Sequence, residues 1–275
     1  MLMERLFINI FFFVSVVLLC SCQTERATDR VAVDAEMKAH EQDHVEKAFD
    51  VRKFDYIDVS MAIKAVYVPG DYSVKVKADR DVIDLVNVKS RNGKLIVSIR
   101  SRGTVTVNSN IYMYVSSPKL RGAGISSAAS LDLKNGLPAS TNEFSVDASS
   151  AGNFHADKLS CSRFRADVSS AGSISVKQLK CNDFEIEASS GGNLMAGRLD
   201  CGTADVVASS SANVKLGQTN AETIVCKASS ASNVRISGKA KSAKLSVSSG
   251  ADINASALKA NDMERDANTG GGISI

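Results

Sequence analysis

From Phe54 onward apolar and polar residues alternate: FDYIDVS, AIKAVYV, YSVKVKA, NVKS, KLIVSIR and IYMYVSS. A period of two is the pattern of half-buried β-strands. Asn92-Gly93 separates two of these runs and predicts a tight hairpin. To about Pro118 the strands follow one another without visible repetition. Beyond it the alternation is locked to a longer rhythm. SSAGN at Ser149 returns as SSAGS at Ser169, SSGGN at Ser189, SSSAN at Ser209 and SSASN at Ser229, twenty residues apart each time. SSGAD at Ser248 follows after nineteen.

Counted from the first Ser of each pentapeptide, the apolar positions fall into columns. Five residues on stand Phe154, Ile174, Leu194, Val214, Val234 and Ile253. Seven on stand Ala156, Val176, Ala196, Leu216, Ile236 and Ala255; ten on stand Leu159, Leu179, Leu199, Thr219, Lys239 and Leu258. Fifteen and seventeen on begin with Phe164 and Phe184, and with Ala166 and Ile186. Each repeat therefore carries two short strands and two corners. A unit of this size holds no core of its own and must stack on its neighbours. Parallel coils about 4.8 Å apart turn each column into an internal ladder. The pentapeptide becomes the stacked corner, where only small side chains fit and Gly or Asn tolerates a left-handed backbone. Its serines have no base beside them and are read as architecture, not nucleophiles.

The segments FDYIDVS, KLIVSIR and SSPKLRGAGISS, the SSAG-type corners and the closing TGGGISI resemble the putative auto-transporter adhesin family with the head GIN domain. Ser-Ala often stands here where that family has Ser-Gly. The resemblance covers roughly residues 51–275. It implies a right-handed β-helix, and many of its members are exported lipoproteins. The expected fold is all-β: a single-stranded right-handed parallel β-helix (β-solenoid) with ~20-residue coils, preceded by a strand-rich N-terminal part. The expected boundaries are 51–118 for that part and 119–275 for the repeat coils.

The first residues look like an address. Arg5 precedes LFINIFFFVSVVLL, an apolar run suited to a signal-peptide core, which ends in LCSC. LCSC resembles the bacterial lipobox, which implies cleavage after Ser21 and lipid attachment at Cys22. Residues 1–21 are thus a lipoprotein signal peptide and 22–50 a polar tether. Within the tether HEQDH, His40 to His44, matches the H-E-x-x-H zinc motif, with Glu41 as general base. A solvated stalk is the expected reading, because no packed helix or third ligand is evident; the only other histidine is His155.

Charge narrows the function. Lys and Arg number 33 against 30 Asp and Glu, a net +3 without a basic block, which offers no footprint for nucleic acid. Outward acidic columns stack Asp147, Asp167 and Glu187, with Glu185 and Asp205 beside Arg165. Stacked carboxylates can hold calcium or cleave a glycosidic bond; the expectation is a solvated face. Cys161, Cys181 and Cys201 also stack, either as small corner fillers or with one disulfide among them, while Cys226 falls in a core column. Phe164 and Phe184 point inward. Tyr112 and Tyr114 share one strand face and are either core, the favoured reading, or a surface platform.

No catalytic residue, metal site or cofactor is expected. The expected function is a lipid-anchored, non-enzymatic adhesion, binding or scaffolding surface, exported to the bacterial cell envelope and placed at the outer membrane. Expected partners are the membrane, through the anchor, and glycans or envelope or host surface proteins. The alternative is a carbohydrate-processing β-helix enzyme, a lyase or hydrolase using the stacked acids.

Overall fold

The computed structural model describes residues 44–100 and 110–275. The expected signal peptide, Cys22 and His40 lie outside the described residues. Of HEQDH only His44 is described, and it opens an extended strand, His44–Ala48. Glu46–Ile275 forms one body.

The period-two alternation becomes strands whose apolar side chains meet in a single core. Successive coils pair in parallel and in register, so that Phe144, Phe164, Phe184, Ala204 and Ile224 stand one above another. Phe154, Ile174, Leu194, Val214 and Val234 form a second inward column. All ten are buried. The rings of Phe164 and Phe184 stack at 5.8 Å between centroids. These rungs form the β-solenoid that the rhythm predicts.

The first corner is a stacked tight turn. Gly152, Gly172 and Gly192 donate their N–H to Ser149, Ser169 and Ser189 at 2.8 Å. Both central residues have positive φ, for instance Ser170 at 47° and Ala171 at 59°, the φ signature of a type I′ turn. The device runs from Met61–Ala62 to Thr269–Gly270. Turned this way, Ala151 donates to Ser170 of the next coil at 3.1 Å, and Gly191 to Ser210 at 3.0 Å. The ladder therefore continues through the bend and leaves those amides satisfied. The left-handed residues are mostly Ser and Ala, the second and third of the pentapeptide; Asn at its fifth position opens the next strand instead. At the fourth position a Cβ on Gly172 would lie 2.4 Å from the Ala148 carbonyl oxygen. Where a later coil has Ser232 there, its hydroxyl donates to Ala208 at 3.0 Å.

The nineteen-residue coil shifts the ladder. Its register slips between Leu216 and Gln218, so Thr219 pairs with Gly238 and Asn220 with Lys239. Lys239 is therefore exposed and does not belong to the inward column, which reads Leu199, Thr219, Gly238, Leu258. The missing residue is lost from the strand, not from the corner. Gly238 sits at φ 121°, where a Cβ would lie 2.0 Å from the Thr219 carbonyl oxygen.

The strand-rich N-terminal part also belongs to the solenoid. Tyr56–Val59 and Lys64–Pro69 form a coil with the same corner, Met61 and Ala62, parallel to Gly122–Ile125 and Ser130–Leu133. On its other side lie Lys94–Ile99 and Tyr112–Ser117, also parallel. The coil at Tyr56–Pro69 thus lies inside the stack, which builds outward from it both ways. Ser73–Asp79 and Val86–Arg91 then pair antiparallel with that outer coil, the latter through the Asn92-Gly93 hairpin. Covering a sheet edge in this way protects it from pairing with other chains.

Five residues read as tether, His44–Ala48, join this cap. Phe49 donates its N–H to Val74 at 2.9 Å, and Glu46 pairs with Lys75 at 3.2 Å. Main-chain pairing at an edge needs no apolar side chains, so HVEKA carried no strand alternation.

Candidate functional site

The acidic column forms as expected: Asp147, Asp167 and Glu187 occupy successive rungs. Its members are not equivalent. Tyr56 lies on the same outer face, two rungs before Ser145, and its hydroxyl donates to Asp147 Oδ2 at 2.6 Å. Its ring crosses Gly122, where a Cβ would come within 2.8 Å of Cε2. Lys94 Nζ stands 4.3 Å from the ring centroid and the Arg121 guanidinium 5.7 Å. Burial first, then the bond to Asp147, raises the Tyr56 pKa. Burial likewise raises Asp58, opposed by Lys94 and reinforced by Asp147. Asp167 is raised by burial, then by Asp147 and Glu187.

The neighbouring column is neutralised across rungs. Arg165 donates through Nε to Glu185 at 2.9 Å, and Arg163 lies 3.4 Å from Glu143 and 3.6 Å from Asp183. Lys177 and Asp157, Lys241 and Glu222, and Lys244 and Glu264 follow the same pattern at 2.6 to 2.8 Å. Glycosidic cleavage needs two carboxyls flanking a bound sugar. Here the acids stand in line on an open strand face, one tied to a tyrosine. No cluster of three or more His, Cys, Asp or Glu that could hold a metal occurs among the described residues.

The cysteines stack at the second corner, where Cys161, Cys181 and Cys201 are free thiols, as is Cys226. Burial pushes Cys161 and Cys201 up to about 11 and Cys226 to about 12. Such thiols carry little thiolate.

Tyr112 and Tyr114 face outward, which corrects the core expectation. In IYMYV either parity is apolar enough to be buried; Ile111, Met113 and Val115 take the core and Tyr114 remains 45% exposed. Lys64 Nζ lies 5.2 Å from the Tyr112 ring.

Among the grooves on the surface of the described residues, two follow the corners. The larger, about 660 Å³, follows the second corner past Lys180, Cys201, Lys239 and Lys259. The other, about 380 Å³, follows the strand after the first corner, between Asn193, Asn213 and Asn233 on one side and Met195, Lys215 and Arg235 on the other. Sequence reasoning missed the second groove. Its signal is the recurring Asn in fifth place, which in the sequence reads equally as a turn residue.

The family described as "Putative auto-transporter adhesin, head GIN domain" matches residues 53–220 and, again, 202–275, and the chain belongs to that family. No curated protein matches it. Among solved structures it is similar to a putative adhesin from Bacteroides fragilis, with 16% identity and a TM-score of 0.61. It is also similar to a putative adhesin from Parabacteroides merdae (14%, 0.66) and a putative lipid binding protein from Parabacteroides distasonis (12%, 0.68). Each comparison covers 84% of this chain and 96% of the other. These likenesses are of fold.

Proposed function

We propose, from membership of the head GIN family, that this protein is a lipid-anchored component of the bacterial cell envelope, at the outer membrane, whose solenoid is a non-enzymatic adhesion or binding surface. One observation carries the reading: in-register stacking sets the outward side chains of successive coils in columns on neighbouring rungs, several of whose charges pair across rungs. A periodic, rigid face suits many weak contacts made together. Two of the similar structures are of putative adhesins, which supports the same reading. Anchoring rests on LCSC, where Cys22 is the acylated residue.

The test is a glycan array and a pull-down from envelope extracts with the detergent-solubilised mature chain. Saturable capture of a glycan or an envelope protein, recovered chemically unchanged, is expected. Release of shortened or unsaturated sugar products during incubation would replace this reading with an enzymatic one.

A further inference from the structure

The groove beside the first corner holds two cations without partners. Lys215 and Arg235 occupy adjacent rungs of one outward column, and neither forms an ion pair or hydrogen bond among the described residues. Arg163, Arg165, Lys177, Lys241 and Lys244 elsewhere on the outer faces pair with carboxylates across rungs, and Lys239 and Lys259, which stack in the other groove, share it with Asp200 and Glu222. Like charges stacked on neighbouring rungs repel, and an anion laid across them relieves the repulsion.

The opposite wall is a ladder of amides. Asn193 and Asn213 donate Nδ2 to the corner carbonyls of Gly191 and Ser211 at 3.1 and 3.4 Å. Their Oδ1 atoms, and the whole amide of Asn233, form no hydrogen bond among the described residues. The groove thus offers an acceptor for a hydroxyl at each rung. Met195, 45% exposed on the cationic side, adds an apolar contact. Asp252 continues the amide column beyond Asn233 and repels an anion from that end, so the favourable stretch is centred on Lys215 and Arg235.

The geometry points to a binding site for an extended acidic polysaccharide, a uronic-acid chain lying along the solenoid axis, with a carboxylate laid across Lys215 and Arg235 and hydroxyls on the asparagine ladder. The inference rests on the binding-surface reading above and names its partner. Donors distinguish a sugar chain from an acidic peptide: every sugar residue carries hydroxyls that can donate to the open Oδ1 atoms of the asparagine ladder, whereas acidic side chains offer only acceptors.

Isothermal titration of the detergent-solubilised full chain tests this with polygalacturonate, hyaluronan and fully methyl-esterified polygalacturonate, which keeps the backbone and loses the charge. At least one uronan should bind, and the ester roughly tenfold or more weakly, because the anion contacts are lost. Lys215→Ala/Arg235→Ala should weaken uronan binding by about tenfold or more at an unchanged melting temperature. Asn213→Ala should cause a smaller loss, and Lys180→Ala/Lys259→Ala in the other groove none. Equal binding of acid and ester, or wild-type affinity in the Lys215/Arg235 variant, overturns the inference. If neither uronan binds while a neutral glycan or an envelope protein is captured, the inference falls and the binding-surface reading stands. If nothing is captured, both fall.

Discussion

Tyr56 and Asp147, 91 residues apart in the chain, meet in a 2.6 Å hydrogen bond on the outer face. The bond joins the coil from which the stack is built in both directions to the repeats, across Gly122 and Gly124, which leave room for the ring. A hydrogen bond to a charged acceptor contributes about 1.5–3 kcal/mol. Tyr56→Phe should therefore lower the unfolding free energy by that order in a urea titration while keeping the β-rich circular dichroism spectrum. An unchanged midpoint would mean that Asp147 is equally well solvated without the tyrosine.

Asp167 predicts a pH effect of definite sign. Its carboxyl titrates above the ordinary value of 3.8 because it is partly buried and flanked by Asp147 and Glu187. The folded chain therefore holds that proton more tightly than the unfolded chain. The ionised group costs stability above its folded pKa, and the cost vanishes as the pH falls below the unfolded value. Asp167→Asn should raise the melting temperature at neutral pH, by an amount that shrinks toward pH 3.8. A gain that persists or grows in acid would contradict this.

The corners predict the consequence of a branched side chain. Ala171 holds φ at 59°, a region in which β-branched residues are strained by about 1–3 kcal/mol. Ala171→Val should lower thermal stability, and Ala171→Gly should be tolerated. Equal melting of the two variants would show that the left-handed turn is dispensable.

The thiols predict slow chemistry. With Cys161 and Cys201 near 11 and Cys226 near 12, iodoacetamide at pH 8 should label these three slowly in the folded chain and quickly in urea. Mass spectrometry of tryptic peptides reads this directly, and rapid labelling of the folded chain would overturn it.

The lipobox resemblance predicts that Cys22 carries the lipid. Cys22→Ala should abolish palmitate labelling and release the protein from the membrane fraction, or leave it unprocessed. Retained label in the variant would place the anchor elsewhere.

The twenty-residue rhythm from Ser149 to Ser229 was sufficient for the solenoid, because in-register stacking makes sequence period and spatial neighbour the same thing. The inward columns headed by Phe154 and Phe164 followed from alternation, since a parallel ladder keeps each position on its face. What local pattern does not contain is which strands pair when they are far apart. The coil at Tyr56–Val59 went unrecognised as one because residues 70–117 intervene before its stacking partner Gly122–Ile125. Parity was also undetermined in IYMYV, where burial of Met113 in the shared core turned Tyr112 and Tyr114 outward. The slip that exposed Lys239 depended on where a shortened coil could lose a residue, which the close approach of Gly238 to Thr219 decided. The groove likewise arose only on stacking: recurring asparagines and two isolated cations became its walls because separate coils set them side by side.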